Sequence, residues 1–457
     1  MLEEPIGQPG QRIGGGTPTA PAAAANVVAT TRPGWVLAIC FALTALNVMD
    51  RQVLAITASA IQAEFGLSDT QLGVLTGFAF VVMHATVGIP ISWLADRTNR
   101  RNVIALGLVA WSGLTAATGL ARGYAQIFAA RVGVGIGEAV GSGPIQSLLS
   151  DYFPVGRRGW AIAVNGAGGN LGAFVALLLG GFLVDAVGWR ATFFVFGAPG
   201  LVVAALLYWT VEEPRREGSP ERAGSVSRDD ASRPASASTG LSFRESLGRF
   251  ARLPSFWLLT FSAGFNQFTN YAFLFFLPTA MMRLYDLDAS RAGSLLALCQ
   301  AAPTFVGVLT SGWLVDRLAP RDTRWHLRVP AIASALAVPF AIAFLACEGL
   351  GPALALCVVA SFFGTMWVAT GNTAMQTMVD PAVRATAHAS MIFFSSGLGL
   401  GLGPAFVGWA SDAWAPRFGV DSLRYALIAA ALVQVLGAAA HALAARRYEE
   451  DSRRARG

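Results

Sequence analysis

The sequence predicts an all-α membrane protein with about twelve transmembrane helices, arranged as two six-helix bundles related by a pseudo-twofold repeat. Three observations carry this expectation. The 457-residue chain is 54% hydrophobic and only 13% charged, a balance that a water-soluble domain would reach only by exposing large apolar patches. Apolar runs of roughly 20 residues, enough to cross about 30 Å of hydrocarbon, recur from end to end. The second half of the sequence also repeats the first in fixed register.

Taken in order, residues 1–32 are rich in Gly, Pro, Ala and Thr and predict a disordered cytoplasmic tail without the apolar core of a signal peptide. Residues 33–213 form the first bundle, with crossings at 34–60, 71–95, 102–121, 124–149, 159–184 and 191–211. A polar linker follows over 214–253. At its end Ser242 and Glu245 form a capping box, and Phe243, Leu247, Phe250 and Leu253 share a face that suits a short helix on the membrane surface. Residues 254–447 form the second bundle, with crossings at 254–282, 289–315, 326–347, 351–378, 385–411 and 423–446, and 448–457 form a second cytoplasmic tail.

An even number of crossings puts both termini on one side. Every basic residue is Arg, and the loops holding Arg97, Arg100 and Arg101, Arg157 and Arg158, and Arg317, Arg321, Arg324 and Arg328 share a face. By the positive-inside rule that face is the cytoplasm, here of a bacterial inner membrane. The net charge of +6 therefore reflects topology, with no nucleic-acid partner expected. Cys40, Cys299, Cys347 and Cys357 lack metal or disulfide spacing, and no metal or cofactor is expected. A phosphate loop needs a Lys, which the chain lacks, so it is not an ATP-driven pump. His84, His326, His388 and His441 show no catalytic or ligand spacing, which argues against an enzyme.

The repeat holds an offset of 220 positions from Phe65-Gly66-Leu67-Ser68-Asp69 to Tyr285-Asp286-Leu287-Asp288, and from Trp93-Leu94 and Asp96-Arg97 to Trp313-Leu314 and Asp316-Arg317. It becomes 227 for Pro154 and Arg157 against Pro381 and Arg384, and for Gly181 and Asp185 against Gly408 and Asp412. Parallel repeats with a site between them near the midplane are a transporter architecture.

The run Ser92-Trp93-Leu94-Ala95-Asp96-Arg97-Thr98-Asn99-Arg100-Arg101 resembles the loop signature of the major facilitator superfamily, with Ser92 and Asn99 replacing two of its glycines. Asn47-Val48-Met49-Asp50-Arg51, Glu64-Phe65-Gly66-Leu67-Ser68, Arg131-Val132-Gly133-Val134-Gly135-Ile136-Gly137-Glu138-Ala139, Asp151-Tyr152-Phe153-Pro154 and Gly188-Trp189-Arg190 resemble its Spinster-like branch. That branch includes transporters of sphingosine 1-phosphate and lysophospholipids, and the resemblance implies the major facilitator fold, alternating access, a lipid-like substrate and a monomeric unit. Charges at helix ends can cap a neighbouring helix in one conformation and let go in the other. Asp96, Arg97, Arg101, Asp151, Asp316 and Arg317 are therefore candidate conformational latches, although such charges also fix topology.

Four charges lie within predicted helices: Asp50 and Arg51 in the first, Arg131 and Glu138 in the fourth. At a helix centre each costs about 2.5–3.5 kcal/mol unless paired or wetted. Arg131 and Glu138 lie two turns apart on one face. The repeat places Asn270 and Tyr271 opposite Asp50 and Arg51, and Val358 and Thr365 opposite Arg131 and Glu138, so the second half has lost all four charges. A fold requirement would persist in both copies. Asp50 and Glu138 are thus the expected proton-coupling acids, with Arg51 and Arg131 as charge partners or anion ligands and His84 on a proton path, driven by the proton gradient. Static salt bridges joining two helices are the competing expectation.

Asn266, Gln267, Asn270 and Tyr271 in the seventh helix, Gln300 and Thr304 in the eighth, and Thr365 and Thr370 in the tenth mix amides, hydroxyls and rings without charge. They are the expected substrate cavity for the body of an amphipathic anion, lysolipid-like foremost, with a small organic anion or drug-like amphipath, or a passive facilitator on the same fold, as the alternatives.

Overall fold

The computed structural model describes residues 31–78, 86–88, 90–91, 94, 98–141, 143–213, 248, 250–379 and 383–456. The expected tail 1–30, linker residues 214–247 with Ser242 and Glu245, and the site candidates His84, Asp96 and Arg97 lie outside them. Among the described residues the chain is a succession of helices.

In the first half, α1 is Pro33–Phe65. Helix α2 begins as Asp69–Gly73 and passes through a π turn at Val74–Phe78, and α3 is Arg100–Thr118. Helix α4 runs over Tyr124–Glu138, loosens into a 3₁₀ turn at Ala139–Gly141 and resumes at Gly143–Tyr152. Val155–Thr210 is helical except at Gly188, whose φ of 81° turns the chain and separates α5 (155–187) from α6 (189–210). In the second half, α7 is Pro254–Tyr285. Helix α8 is Ala289–Leu296, a π turn at Ala297–Ala301 and Ala302–Leu318. Helix α9 is Trp325–Ala346, and α10 is Leu350–Gly364 continued by Trp367–Met378. Helix α11 is Arg384–Ser396, Gly397–Gly401 and Leu402–Phe418, and α12 is Ser422–Arg456.

The repeat is legible in the caps. Gly66 ends α1 at φ 61°, and its counterpart Asp286 ends α7 at φ 50°, a left-handed conformation that Gly and Asp tolerate best. Ser68 then caps α2 in a capping box with Gln71, and Asp288 caps α8. The breaks in α4 after Glu138 and in α10 at Thr365 also coincide under the repeat. They put one polar side chain from each half at an interrupted helix.

Two expected segments differ. Residues 448–456 are a continuation of α12 rather than a tail. Buried Asp451 accepts from the Ser255 amide at the start of α7 (2.9 Å), and Tyr448 joins an apolar cluster with Phe250, Leu253 and Phe256. That cluster also corrects the surface-helix expectation at its described end: Phe250 and Leu253 face the second bundle rather than lipid. A helix start needs an acceptor for its free amides, and Asp451 supplies one.

Candidate functional site

The four intramembrane charges meet as two crossed pairs between α1 and α4. Arg131 Nη1 donates to Asp50 Oδ2 at 2.8 Å, and Arg51 Nη2 donates to Glu138 Oε2 at 2.9 Å. The Thr115 hydroxyl of α3 donates to Asp50 Oδ1, and Asn47 Oδ1, one turn before Arg51, accepts from its guanidinium at 3.0 Å. Glu138 is fully buried while the Arg51 side chain keeps 15% of its exposure, so the second pair sits on the edge of an opening. Tyr271 of α7 lies within electrostatic reach of Arg51. Two acids and two arginines sum to neutrality, which lets the cluster survive in a low dielectric. One imperfection stands out: Glu138 Oε1 is buried without a hydrogen-bond partner among the described residues. A carboxylate oxygen buried without a donor carries an uncompensated desolvation cost.

Across from the tetrad, α7, α8, α9, α10 and α12 enclose a cavity of ≈ 60 Å³. Of the eight candidates for this side, Asn270, Gln300, Thr304 and Thr365 line it. Thr365, the counterpart of Glu138, donates to the Thr304 carbonyl at 3.3 Å and so ties α10 to α8. The other four do not line it. Asn266 is 1% exposed and sits behind the wall, bonded to the Ser262 carbonyl, Ser334 and Gln434. Gln267 donates to Ser395 where α11 approaches at Gly399, and Thr370 is buried and returns its hydroxyl to the carbonyls of Met366 and Trp367. Tyr271 stacks on Phe275 at 6.3 Å rather than joining this cavity. A run of polar residues wraps around a helix, and only some of its faces point inward.

A third constellation, at the face opposite the arginine-rich loops, joins the two halves. Asp412 at the end of α11 accepts from the amides of Asp69 and Thr70 at the start of α2 (3.1 and 2.8 Å), and Asp185 at the end of α5 accepts from the Ser290 amide at the start of α8 (2.6 Å). Carboxylates at helix starts are electrostatically favourable. The approach is close enough that a Cβ on Gly408 would collide with the Asp69 carbonyl, and one on Gly181 with the Ala289 carbonyl. On one side only, an ion pair is added: Arg283 of α7 donates to both Asp69 oxygens (2.8 and 2.7 Å), with Ser411 and Gln62 completing the shell at 2.6 and 2.8 Å. Burial pushes the Asp69 carboxyl up, but Arg283, Ser411 and Gln62 together outweigh it and hold the group below its usual value. The chain is thus shut at this face.

The profile for the major facilitator superfamily matches residues 40–404. The chain belongs to the major facilitator superfamily. A bacterial homologue of the human lysosomal transporter Spinster, in an inward-facing and unoccupied conformation, superimposes with a TM-score of 0.80 at 28% identity, covering 92% of this chain and 98% of that one. An MFS-type efflux pump of Mycolicibacterium smegmatis is 30% identical over 89% of this chain and 91% of its own length. The cis,cis-muconate transport protein of Acinetobacter baylyi is 26% identical over 83% and 88%. The protein is a Spinster-like, multi-pass transporter of the superfamily that works by alternating access, and not an enzyme.

The superfamily loop motif is only partly described. Asp151 pairs with Arg100 (2.6 Å) rather than with Arg101, and Arg100 also reaches Glu213 at 2.7 Å. Arg101 instead donates to the Val211 carbonyl and lies over Tyr208. In the second copy Arg317 lies over Trp313 and Asp316 lies within electrostatic reach of His326. These described contacts stay within one half, whereas contacts that join the halves gather at Asp69, a residue that no motif in the sequence marks. Its signal was available: Arg283 is a lone cation in the last turn of an otherwise uncharged helix.

Proposed function

We propose that this protein is a proton-coupled secondary transporter of an amphipathic anion, a lysophospholipid or sphingosine-phosphate-like molecule foremost, acting as a monomer without cofactor in a bacterial inner membrane with both termini in the cytoplasm. The observation that carries the reading is the crossed tetrad with the partnerless Glu138 Oε1. A proton arriving at Glu138 satisfies that oxygen and removes the charge that holds Arg51. Arg51, still held by Asn47, then faces a neutral acid at the edge of the opening, and an anionic head group takes the place of the carboxylate. When the anion departs, the Arg51 charge again favours ionised Glu138, which releases its proton to water at the opening. Asp50, held by Arg131 and Thr115, is the second acid of the cycle. The arginine-rich loops support the cytoplasmic placement of the termini, and closure at the Asp69 face then corresponds to an inward-facing state.

A second reading, transport of a small organic acid, is favoured by the second-half cavity, whose wall of Asn270, Gln300, Thr304, Thr365 and Gln434 offers amides and hydroxyls beside Phe273 and Phe344. The muconate relative supports the same class. The test is uptake of labelled lysophospholipid, sphingosine 1-phosphate and muconate into proteoliposomes under an imposed pH gradient, with Asp50→Asn and Glu138→Gln beside the native protein. Gradient-driven lipid flux lost in either variant supports the first reading, and muconate flux alone transfers it to the second. Flux of any of them that ignores both the gradient and the substitutions defeats proton coupling.

A further inference from the structure

Between the start of α9, the end of α10 and the last turns of α12 lies a cavity of ≈ 380 Å³ that the transport reading does not use, lined by His326, Thr323, Ser452, Arg453 and Thr377 with Glu449. Its wall is rich in donors. His326 Nδ1 and Ser452 Oγ are buried without a hydrogen-bond partner among the described residues, a costly arrangement for a cavity left to itself. The one carboxylate, Glu449, is already held by Arg324 at 3.1 Å. Arg453 returns its Nε to the Glu449 carbonyl at 3.3 Å, which keeps the guanidinium at the cavity wall. The hydroxyls of Thr377 and Tyr448 hold each other at 2.5 Å and make the back of the site rigid.

We infer that this cavity is a binding site for a phosphate-type oxyanion on the arginine-rich, cytoplasmic face. A guanidinium fork matches a tetrahedral oxyanion with two parallel donors, the Thr323 hydroxyl adds to it, and the His326 imidazole and Ser452 hydroxyl complete a donor shell once they turn inward from their buried positions, beside a Glu449 already paired with Arg324. The volume lies in the range of small-molecule sites. All of its lining comes from the second half, so the site keeps its shape when the halves rock and is distinct from the substrate path between them. The occupant is either a soluble phosphate compound or the head group of an anionic lipid of the inner leaflet, which present the same chemistry.

Two arms separate these sources. Purified protein in neutral detergent is titrated with inorganic phosphate against chloride at matched ionic strength, following thermal unfolding. In parallel, protein in phosphatidylcholine discs with and without phosphatidylglycerol is examined by native mass spectrometry for retained lipid. Arg453→Gln and Ser452→Ala are compared with the native chain, and their unfolding without phosphate reports that they fold, since Arg453 is exposed. Phosphate stabilisation that needs roughly tenfold more phosphate in Arg453→Gln assigns a soluble ligand. Retained phosphatidylglycerol that is lost in Arg453→Gln, with no phosphate effect, assigns a head group. If Ser452→Ala and Arg453→Gln match the native protein in both arms, the site does not exist.

Discussion

Replacing Asp69 by Asn should open the outer face of the transporter. Asp69 accepts four hydrogen bonds, two from Arg283, one from Ser411 and one from Gln62, at 2.6–2.8 Å. Asparagine keeps one acceptor oxygen, loses the charge and turns an amide toward the Arg283 guanidinium. A hydrogen bond to a charged group contributes about 1.5–3 kcal/mol when intact. The Arg283 side chain keeps 26% of its exposure, and water there takes over part of the lost interaction. The low end, about 1.5–2 kcal/mol, is the fitting value, and it shifts the outward-to-inward ratio roughly tenfold to thirtyfold. Spin labels at Arg122→Cys and Glu348→Cys, in a cysteine-free background, report the width of the outer face by pulsed electron resonance. The longer-distance population should rise by about that factor in Asp69→Asn. The pH dependence has a definite sign. Because the Asp69 carboxyl is depressed in the closed state, its contribution is fully present above the ordinary carboxylate value of about 4 and is lost only as pH falls through the depressed one. Native protein should therefore open in strong acid, and Asp69→Asn should lose that component. Distance distributions in Asp69→Asn and Arg283→Gln that match the native protein at every pH would refute the role of this pair.

Glu138→Gln should leave substrate counterflow between equal pH compartments measurable while abolishing accumulation driven by a pH gradient. Arg131→Gln leaves Asp50 buried at 5% side-chain exposure without its cation and should cost about 3–5 kcal/mol of stability. Adding Asp50→Asn should recover most of it, as read by thermal unfolding in detergent. Gly408→Leu, placed against the Asp69 carbonyl, should prevent outer closure, and accessibility of an outer-cavity cysteine to a membrane-impermeant thiol reagent should rise as it does in Asp69→Asn.

The repeat, the helix count and the four intramembrane charges were legible because each leaves a mark on the one-dimensional pattern: a fixed offset, an apolar run, a charge where hydrocarbon forbids it. How the charges pair was not. Arg131 and Glu138 share a helix face, which suggested a common cavity but not the crossing, in which each arginine takes the acid of the other helix. The cavity wall was half legible, since Asn270, Gln300, Thr304 and Thr365 line it while Asn266, Gln267, Tyr271 and Thr370 do not. The difference between those groups is helix rotation, a tertiary quantity. Gln434 lines the cavity from the apolar stretch 426–440 of α12, and nothing in its neighbours separates it from a tolerated polar residue. Asp69 and Arg283 are far apart in sequence and ordinary for helix ends, so their pairing appears only when the halves are docked.

The distribution of these features between the halves carries a mechanical consequence. The backbone contacts of Asp185 and Asp412 occur in both repeats, so they close the outer face symmetrically and set no direction. The Asp69–Arg283 pair and the tetrad occur once each, and α1 contributes to both: Asp50 and Arg51 to the tetrad, Gln62 to the shell around Asp69 and to Arg283 at 2.5 Å. Twelve residues of helix, about 18 Å, separate them. Ser59, between the two, reaches Thr279 of α7 at 3.4 Å. In the proposed cycle, exchange of Glu138 for an anion at Arg51 would change the force that holds α1 against α4, and the same helix ends in the ion-pair shell at Asp69. On that proposal a helix anchored at both sites would transmit the change without an additional relay, and charges in the second half would not be required for it.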